Sequence, residues 1–272
     1  MKMLIIRFTA VLAAMCALGS SASGQLIIGH RGASHDAPEN TIASYKLAIE
    51  QGADGFEGDY WLLADGHILD LHDKDTKRVA GKKLVVTTAP FKQLRALDVG
   101  SWKDPKWHAE RIPTLEEVLA VVPAGKKVFL ELKSGPEIVA PMAKVIAASH
   151  VSPDQIVLIS FHADAIAACK NEMPHINALW LCGMQKKKDG TPPPTVEEVA
   201  ATLKRIHADG LDAEAAPDYF NAAYIKRLGE LGCREFSVWT VDDPKVARLY
   251  ADLGAWSITT NRPGWLREQL KK

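Results

Sequence analysis

The sequence has no excess charge of either sign. Thirty-three Lys and Arg balance 33 Asp and Glu, giving a formal net charge of zero at pH 7. Without a basic excess there is nothing to neutralise a phosphate backbone, and no long run of like charge marks an interaction tail, so no nucleic-acid partner is expected. Cysteine is nearly as scarce, with four in 272 residues, and the spacing matches no zinc pattern. Cys16 falls in the N-terminal apolar segment, where the preceding Met15 spoils a lipoprotein cleavage site. Cys169, Cys182 and Cys233 remain, and an odd number leaves at least one thiol free within a monomer. They read as small buried apolar residues; an oxidising compartment would permit one bridge, but the sequence does not select the pair.

Long hydrophobic runs are also missing beyond the first 24 residues. There, Lys2 and Arg7 lead into an apolar run through Leu18, followed by Gly19-Ser20-Ser21-Ala22-Ser23-Gly24. A basic start, a short apolar centre and small residues at the cut read as a signal peptide over 1–24, cleaved near Ser23 or Gly24. The run is short for a membrane span, so no stable membrane anchor is expected after its removal, and the protein is expected to be exported, periplasmic or secreted. An uncleaved anchor is the alternative. Residues 25–272, in a chain of 47% hydrophobic content, fit one large domain. No internal repeat is visible.

The chain alternates short apolar runs with amphipathic stretches. Strands are predicted at Gln25–Gly29, Ala53–Tyr60, Lys127–Leu132, Val157–Ser160, Ile176–Leu181, Leu211–Glu214, Glu235–Thr240 and Trp256–Thr259, with a short apolar run at Ile68–Leu71. A helix capped by Asn40 or Thr41 is predicted to bury Ile42, Tyr45 and Ile49 and to end at Gly52. Thr114 with Glu117, and Thr195 with Glu198, have the spacing of capping boxes. About eight strands, most followed by a helix, with no change of character at any linker, predict a single TIM (β/α)8 barrel. A doubly wound open sheet is the runner-up. Residues 74–111 break the rhythm. They are too long for a mere loop and hold a predicted helix over Ala89–Leu97.

The densest chemistry lies between Gly29 and Asp73. His30 and Arg31 follow the first strand directly, with Gly32 behind them. Glu57 and Asp59 are two apart, which in a strand puts both carboxylates on one face, where they repel unless a cation or hydrogen-bond donors separate them. His72-Asp73 closes the stretch. Glu131 and Lys133 repeat the two-residue spacing at a later strand end. Polar residues at strand C-terminal ends gather on one face of such a barrel, so these distant positions, with Trp239, are expected to share a cleft. Histidines, an arginine and paired carboxylates suit chemistry on a phosphate ester.

His30-Arg31-Gly32, Pro38-Glu39-Asn40-Thr41, Gly52-Ala53-Asp54, Glu57-x-Asp59, Asp65-Gly66 and His72-Asp73, in that order and at these spacings, resemble the glycerophosphodiester phosphodiesterase family. Ser160-Phe161, Val238-Trp239-Thr240-Val241 and Ile258-Thr259-Thr260-Asn261-Arg262-Pro263 extend the resemblance to about Leu266. It implies a small insertion capping the barrel mouth, at about 74–111, and lining part of the cleft. It implies a divalent cation, Ca²⁺ or Mg²⁺ (Mn²⁺ would also fit), on Glu57, Asp59 and Glu131, since oxygen-only ligands favour hard ions over zinc. It implies His30 and His72 as an acid–base pair, Arg31 and Lys133 on the phosphate oxygens, and Trp239 against the glycerol. The plainer reading of Arg31 and Lys133 is ion pairing with the nearby acids. Cleavage of a glycerophosphodiester to sn-glycerol 3-phosphate and an alcohol is the reaction implied. Two histidines at about 10²–10⁴ each supply at most roughly 11 kcal/mol, less than phosphate esters demand, so cation and cationic side chains must contribute. Phospholipase D-type cleavage of intact lipids and a non-catalytic binding protein on the same barrel are the alternatives. Asn261, where an Asp is usual, Asp242, where an Asn is usual, and the run Tyr60-Trp61-Leu62-Leu63 depart from the pattern.

Overall fold

The computed structural model describes residues 25–271, and the expected export segment lies outside them. In chain order the elements are β1 (Leu26–Gly29), α1 (Ile42–Glu50), β2 (Gly55–Leu62), β3 (Ile68–Asp70), α2 (Lys77–Ala80), α3 (Phe91–Arg95), α4 (Leu115–Leu119), β4 (Lys127–Leu132), α5 (Val139–Ala148) and β5 (Ile156–Ser160). Then follow α6 (Ala163–Glu172), β6 (Asn177–Cys182), α7 (Val196–Ile206), β7 (Gly210–Glu214), α8 (Ala222–Glu230), β8 (Phe236–Trp239), α9 (Pro244–Asp252), β9 (Ser257–Thr260) and α10 (Pro263–Leu270). All strands but β3 run parallel to their neighbours. β1 pairs with β2 on one side and β9 on the other, so the sheet closes into a barrel and the open-sheet alternative is excluded. β3 turns back antiparallel along the end of β2, with Tyr60 opposite Asp70.

Strand alternation sorts the side chains into an inner and an outer layer. Val128, Leu130 and Leu132 of β4 face out and join Val118, Met142, Ile146 and Ile166 of the surrounding helices. On the far side, Leu211, Ala213, Val238 and Ile258 meet Leu228, Tyr250 and Leu266. Between them, Ile28, Phe129, Val157, Ile159, Leu179 and Leu181 form a separate cluster. Phe129 lies two residues before Glu131 and Leu181 one strand from Asp212, so this cluster is the apolar floor beneath the polar strand ends.

Both expected capping boxes are present, at Thr114–Glu117 and Thr195–Glu198. Thr41, not Asn40, caps α1. The buried face of α1 is Ser44, Tyr45 and Ala48; Ile42 and Ile49 are only half-buried. Close approach decides this. Gly32 has φ +82°, and a Cβ there would collide with Ser44, so small residues must face the turn after β1.

Residues 74–111 fold as α2, α3 and a short 3₁₀ turn at Pro105–Trp107. Val79, Val86, Leu94 and Val99 make their own small core with Leu63, Leu69, Leu71 and Ile112. Arg78 reaches Glu39 at 2.7 Å and Lys103 donates to the Ser34 carbonyl at 2.8 Å, which ties the insertion to the segment after β1. No residue of 74–111 lines the central pocket. Val79, Val86, Leu94 and Val99 are taken up by the insertion's own core, while Val85 and Trp102 stay exposed. No helix among the described residues is long and apolar enough to cross a membrane. Cys169, Cys182 and Cys233 are unpaired, and burial pushes the Cys169 thiol up to about 12.

Candidate active site

Register brings the acids together. Asp59 of β2 pairs directly with Glu131 of β4, and Glu57 lies two residues before Asp59 on the same face. One ligand oxygen from each of the three lies within 4.8 Å of the others, and all three residues are buried. Gly58, between the two β2 acids, must lack a side chain. A Cβ there would run into the Tyr45 hydroxyl, and 2.9 Å away would be an Asp70 oxygen. Tyr45 donates to Asp70, whose other oxygen accepts the Asp59 main-chain N–H at 3.1 Å. The outer face of β2 thus fixes the acids on its inner face.

Donors and cations surround the carboxylates. The Arg31 main-chain N–H donates to Glu57 at 2.9 Å, and its guanidinium Nε lies 3.4 Å from Asp59. Asn40 donates to Asp59 at 2.8 Å. Lys133 Nζ lies 2.8 Å from Glu131 and 3.2 Å from Asp59. Arg31 and Asn40 both have left-handed backbones, φ +55° and +53°, a cost that is borne at the positions that hold the acids. Burial opposes ionisation of Asp59, but Lys133, Arg31 and His72 outweigh it and hold Asp59 well below the usual carboxylate range. Glu57 is pushed well up by burial and by Asp59 and Glu131, and Glu131 is pushed up to about 7 by burial and Asp59. Three mutually repelling acids with oxygen-only donors fit a hard divalent cation.

The expected histidines line the same pocket, with Arg31, Glu57, Glu131, Lys133 and Trp239; Asp59 lies just behind, reached through Lys133. The pocket encloses about 160 Å³. His30 donates its main-chain N–H to Thr260, and its Nδ1 is 2.8 Å from Asn261 Oδ1. Asp242 identifies the atoms. Its carboxylate can only accept, so the Asn261 amide nitrogen faces it at 2.6 Å and Oδ1 faces His30. His30 Nδ1 must then carry the proton, leaving Nε2 with its lone pair. Burial, then Arg31, pulls His30 down to about 4. His72 is a third exposed, and its Nδ1 lies 2.7 Å from Asp73. Hydrogen bonds from Arg78 hold Asp73 down at about 2. Arg78 also pairs with Glu39, which in turn pairs with Arg31 at 2.9 Å.

The family model for the glycerophosphoryl diester phosphodiesterase family matches residues 30–265. The chain belongs to this family. A glycerophosphodiester phosphodiesterase of Caldanaerobacter subterraneus is 34% identical over 260 residues, covering 91% of this chain and 98% of that protein. A glycerophosphodiester phosphodiesterase of Bacillus subtilis is 26% identical over 257 residues, covering 88% and 84%. Among solved structures, an Oleispira antarctica phosphodiesterase in complex with the product sn-glycerol-3-phosphate superposes with TM-score 0.81 at 25% identity, covering 92% of this chain and 98% of that one. The activity is accordingly that of a phosphoric diester hydrolase acting on glycerophosphodiesters.

Within this family frame, the departures at Asn261 and Asp242 form one linked pair: Asp242 also accepts from the Thr260 hydroxyl at 2.8 Å and the Asn261 N–H at 2.9 Å. Sequence reasoning did not single out Asn40 as a partner of Asp59, Asp70 as a support of β2, or Asp212 as a pocket residue. Asp212 alternates with the outward-facing Leu211 and Ala213, a signal that could have placed it inside the barrel.

Proposed function

We propose that this protein is an exported, divalent-cation-dependent enzyme that releases sn-glycerol 3-phosphate and an alcohol, with His30 as general base and His72 as general acid. The observation that carries the proposal is the environment of His30. It is buried, its Nδ1 proton is committed to Asn261, and its basicity is low enough to keep Nε2 unprotonated at neutral pH. His72 sits at the exposed side of the same pocket, where a leaving alcohol of variable size has room. Asp73 accepts from its Nδ1 at 2.7 Å, which leaves Nε2 free to serve the leaving oxygen.

In this reading the glycerol hydroxyl next to the phosphate gives its proton to His30 Nε2 as its oxygen attacks phosphorus. His72 gives a proton to the departing alcohol oxygen. Water then opens the cyclic phosphate with the two roles reversed, restoring both imidazoles. Arg31 and Lys133 face the non-bridging oxygens, where negative charge grows. Glu57, Asp59 and Glu131 would hold the cation, which when bound adds charge stabilisation at those same oxygens. Their ligand oxygens, within 4.8 Å of one another, are close enough to share one hard divalent ion, Ca²⁺ or Mg²⁺.

Product release from glycerophosphocholine, assayed before and after chelation and with each divalent ion restored, tests this. Loss on chelation and recovery with Ca²⁺, Mg²⁺ or Mn²⁺ is expected; undiminished turnover after complete chelation would remove the cation from the scheme. Faster release from intact phospholipid vesicles would instead favour phospholipase D-type cleavage. Export is tested by N-terminal sequencing of the mature protein, expected to begin at about Gly24 or Gln25.

A further inference from the structure

We propose that Asp212 is a specificity-determining residue that hydrogen-bonds the distal hydroxyl of the substrate's glycerol moiety, the hydroxyl that takes no part in attack on phosphorus. This rests on the reaction proposed above and adds a subsite to it.

Asp212 is 1% exposed, lines the pocket, and its Oδ1 has no hydrogen-bond partner among the described residues. Buried carboxyl oxygens are nearly always paired, so an unpaired one on a residue that lines a cavity implies a partner that comes with the ligand. Nothing in the fold needs the group. Its register neighbours are Leu181 on β6 and Ser237 on β8, and Ser237 is engaged with Ser257 at 2.8 Å. An apolar residue at 212 would continue the barrel floor without loss.

Position selects the ligand atom. Around the closed ring β1, β2, β4, β5, β6, β7, β8, β9, strand β7 stands opposite β2. The acids of β2 and the carboxyl of Asp212 therefore bracket the pocket from facing walls. A ligand whose phosphate lies by Arg31 and Lys133 extends its short polyol arm toward β7. The pocket's 160 Å³ is many times the roughly 10–15 Å³ that a single water needs on the same measure, enough for a three-carbon arm. Trp239 donates its indole N–H to the Asp212 main-chain oxygen at 3.1 Å, which sets an aromatic ring beside the carboxyl. Carbon–hydrogen surface against the ring and a hydroxyl against the carboxyl describe a polyol. An ammonium headgroup fits less well, because burial opposes the charge it would need from Asp212.

The test is calorimetric binding of sn-glycerol 3-phosphate and of propane-1,2-diol 1-phosphate, which lacks only the distal hydroxyl. Each is titrated into the Ca²⁺-loaded wild type, Asp212→Ala and Asp212→Asn. Wild type is expected to prefer sn-glycerol 3-phosphate by about tenfold or more, since a buried polar group left unpaired rejects the analogue. Asp212→Ala should bring the two within about twofold by weakening only the first, and Asp212→Asn should keep most of the preference. KM for glycerophosphocholine should rise in Asp212→Ala with kcat little changed. A preference that survives Asp212→Ala, or equal weakening of both ligands, overturns the assignment while leaving the reaction standing. If the wild type binds neither phosphate and hydrolyses no glycerophosphodiester, the proposed reaction and this subsite fall together.

Discussion

Asn261 joins His30 to Asp242 by neutral and charged hydrogen bonds, and its identity sets the basicity of the imidazole. Exchanging the pair, Asn261→Asp with Asp242→Asn, places the carboxylate directly on His30. The imidazolium is then favoured, so His30 should rise from about 4, and the acidic limb of kcat/KM should move to higher pH by a unit or more. An unmoved limb in the pH–rate profile would remove His30 from the base role. The three acids make a second prediction. Glu131 holds its proton to about 7, and Glu57 is raised by burial and its acidic neighbours. A cation must displace those protons, so Ca²⁺ affinity should climb steeply between about pH 6 and 8, by about tenfold per unit for each proton released. Calorimetry in two buffers of different ionisation enthalpy counts the protons. Asp212 makes a third. Burial, with Glu131, raises it to about 8, above its unfolded value. The unfolded chain therefore loses this proton first, and stability falls as pH rises through that window, by about 1.4 kcal/mol per unit. Asp212→Asn removes the penalty, so its melting temperature should exceed wild type by more at pH 8 than at pH 5. Glu57, Glu131 and Lys133 were legible because two-residue spacing puts such side chains on one face of a strand, and His30 and Arg31 because they follow the first strand directly. The His30–Asn261 link spans 231 positions and the Asp212 orphan depends on a cavity, and neither is written in local pattern.

At the scale of elements, β2 carries the site because both of its faces are occupied. The inner face presents Glu57 and Asp59, and the outer face meets Tyr45, which stacks on Phe56 at 4.3 Å and donates to Asp70. Gly58→Ala would push the Tyr45–Asp70 pair away from the strand. A loss of about 1–3 kcal/mol is expected from overpacking, with weaker cation binding beyond what the lower melting temperature explains. Chemical denaturation together with calorimetry separates the two effects. Helix starts at Thr114 and Thr195 were readable from capping spacing alone. The buried face of α1 was not, because hydrophobicity pointed to Ile42 and Ile49, whereas close approach to Gly32 and Gly29 demanded Ser44 and Ala48. The insertion was visible as a break in rhythm, but its place beside the pocket depends on Arg78, Glu39, Lys103 and Ser34, which no local pattern connects.

For the whole molecule, closure rests on two short strands at opposite ends of the chain. β1 and β9 pair through Leu26–Ser257, Ile27–Ile258, Ile28–Thr259 and Gly29–Thr260. Truncation after Gly254 would leave β1 and β8 as bare edges, and such a chain is expected to aggregate, as light scattering would show. His30 is attached to that junction by its main-chain N–H and by its ring. The imidazole thus works as a strain gauge for the joint that closes the barrel. Gentle warming that loosens the two chain ends would silence turnover while most of the sheet still holds its amide protons.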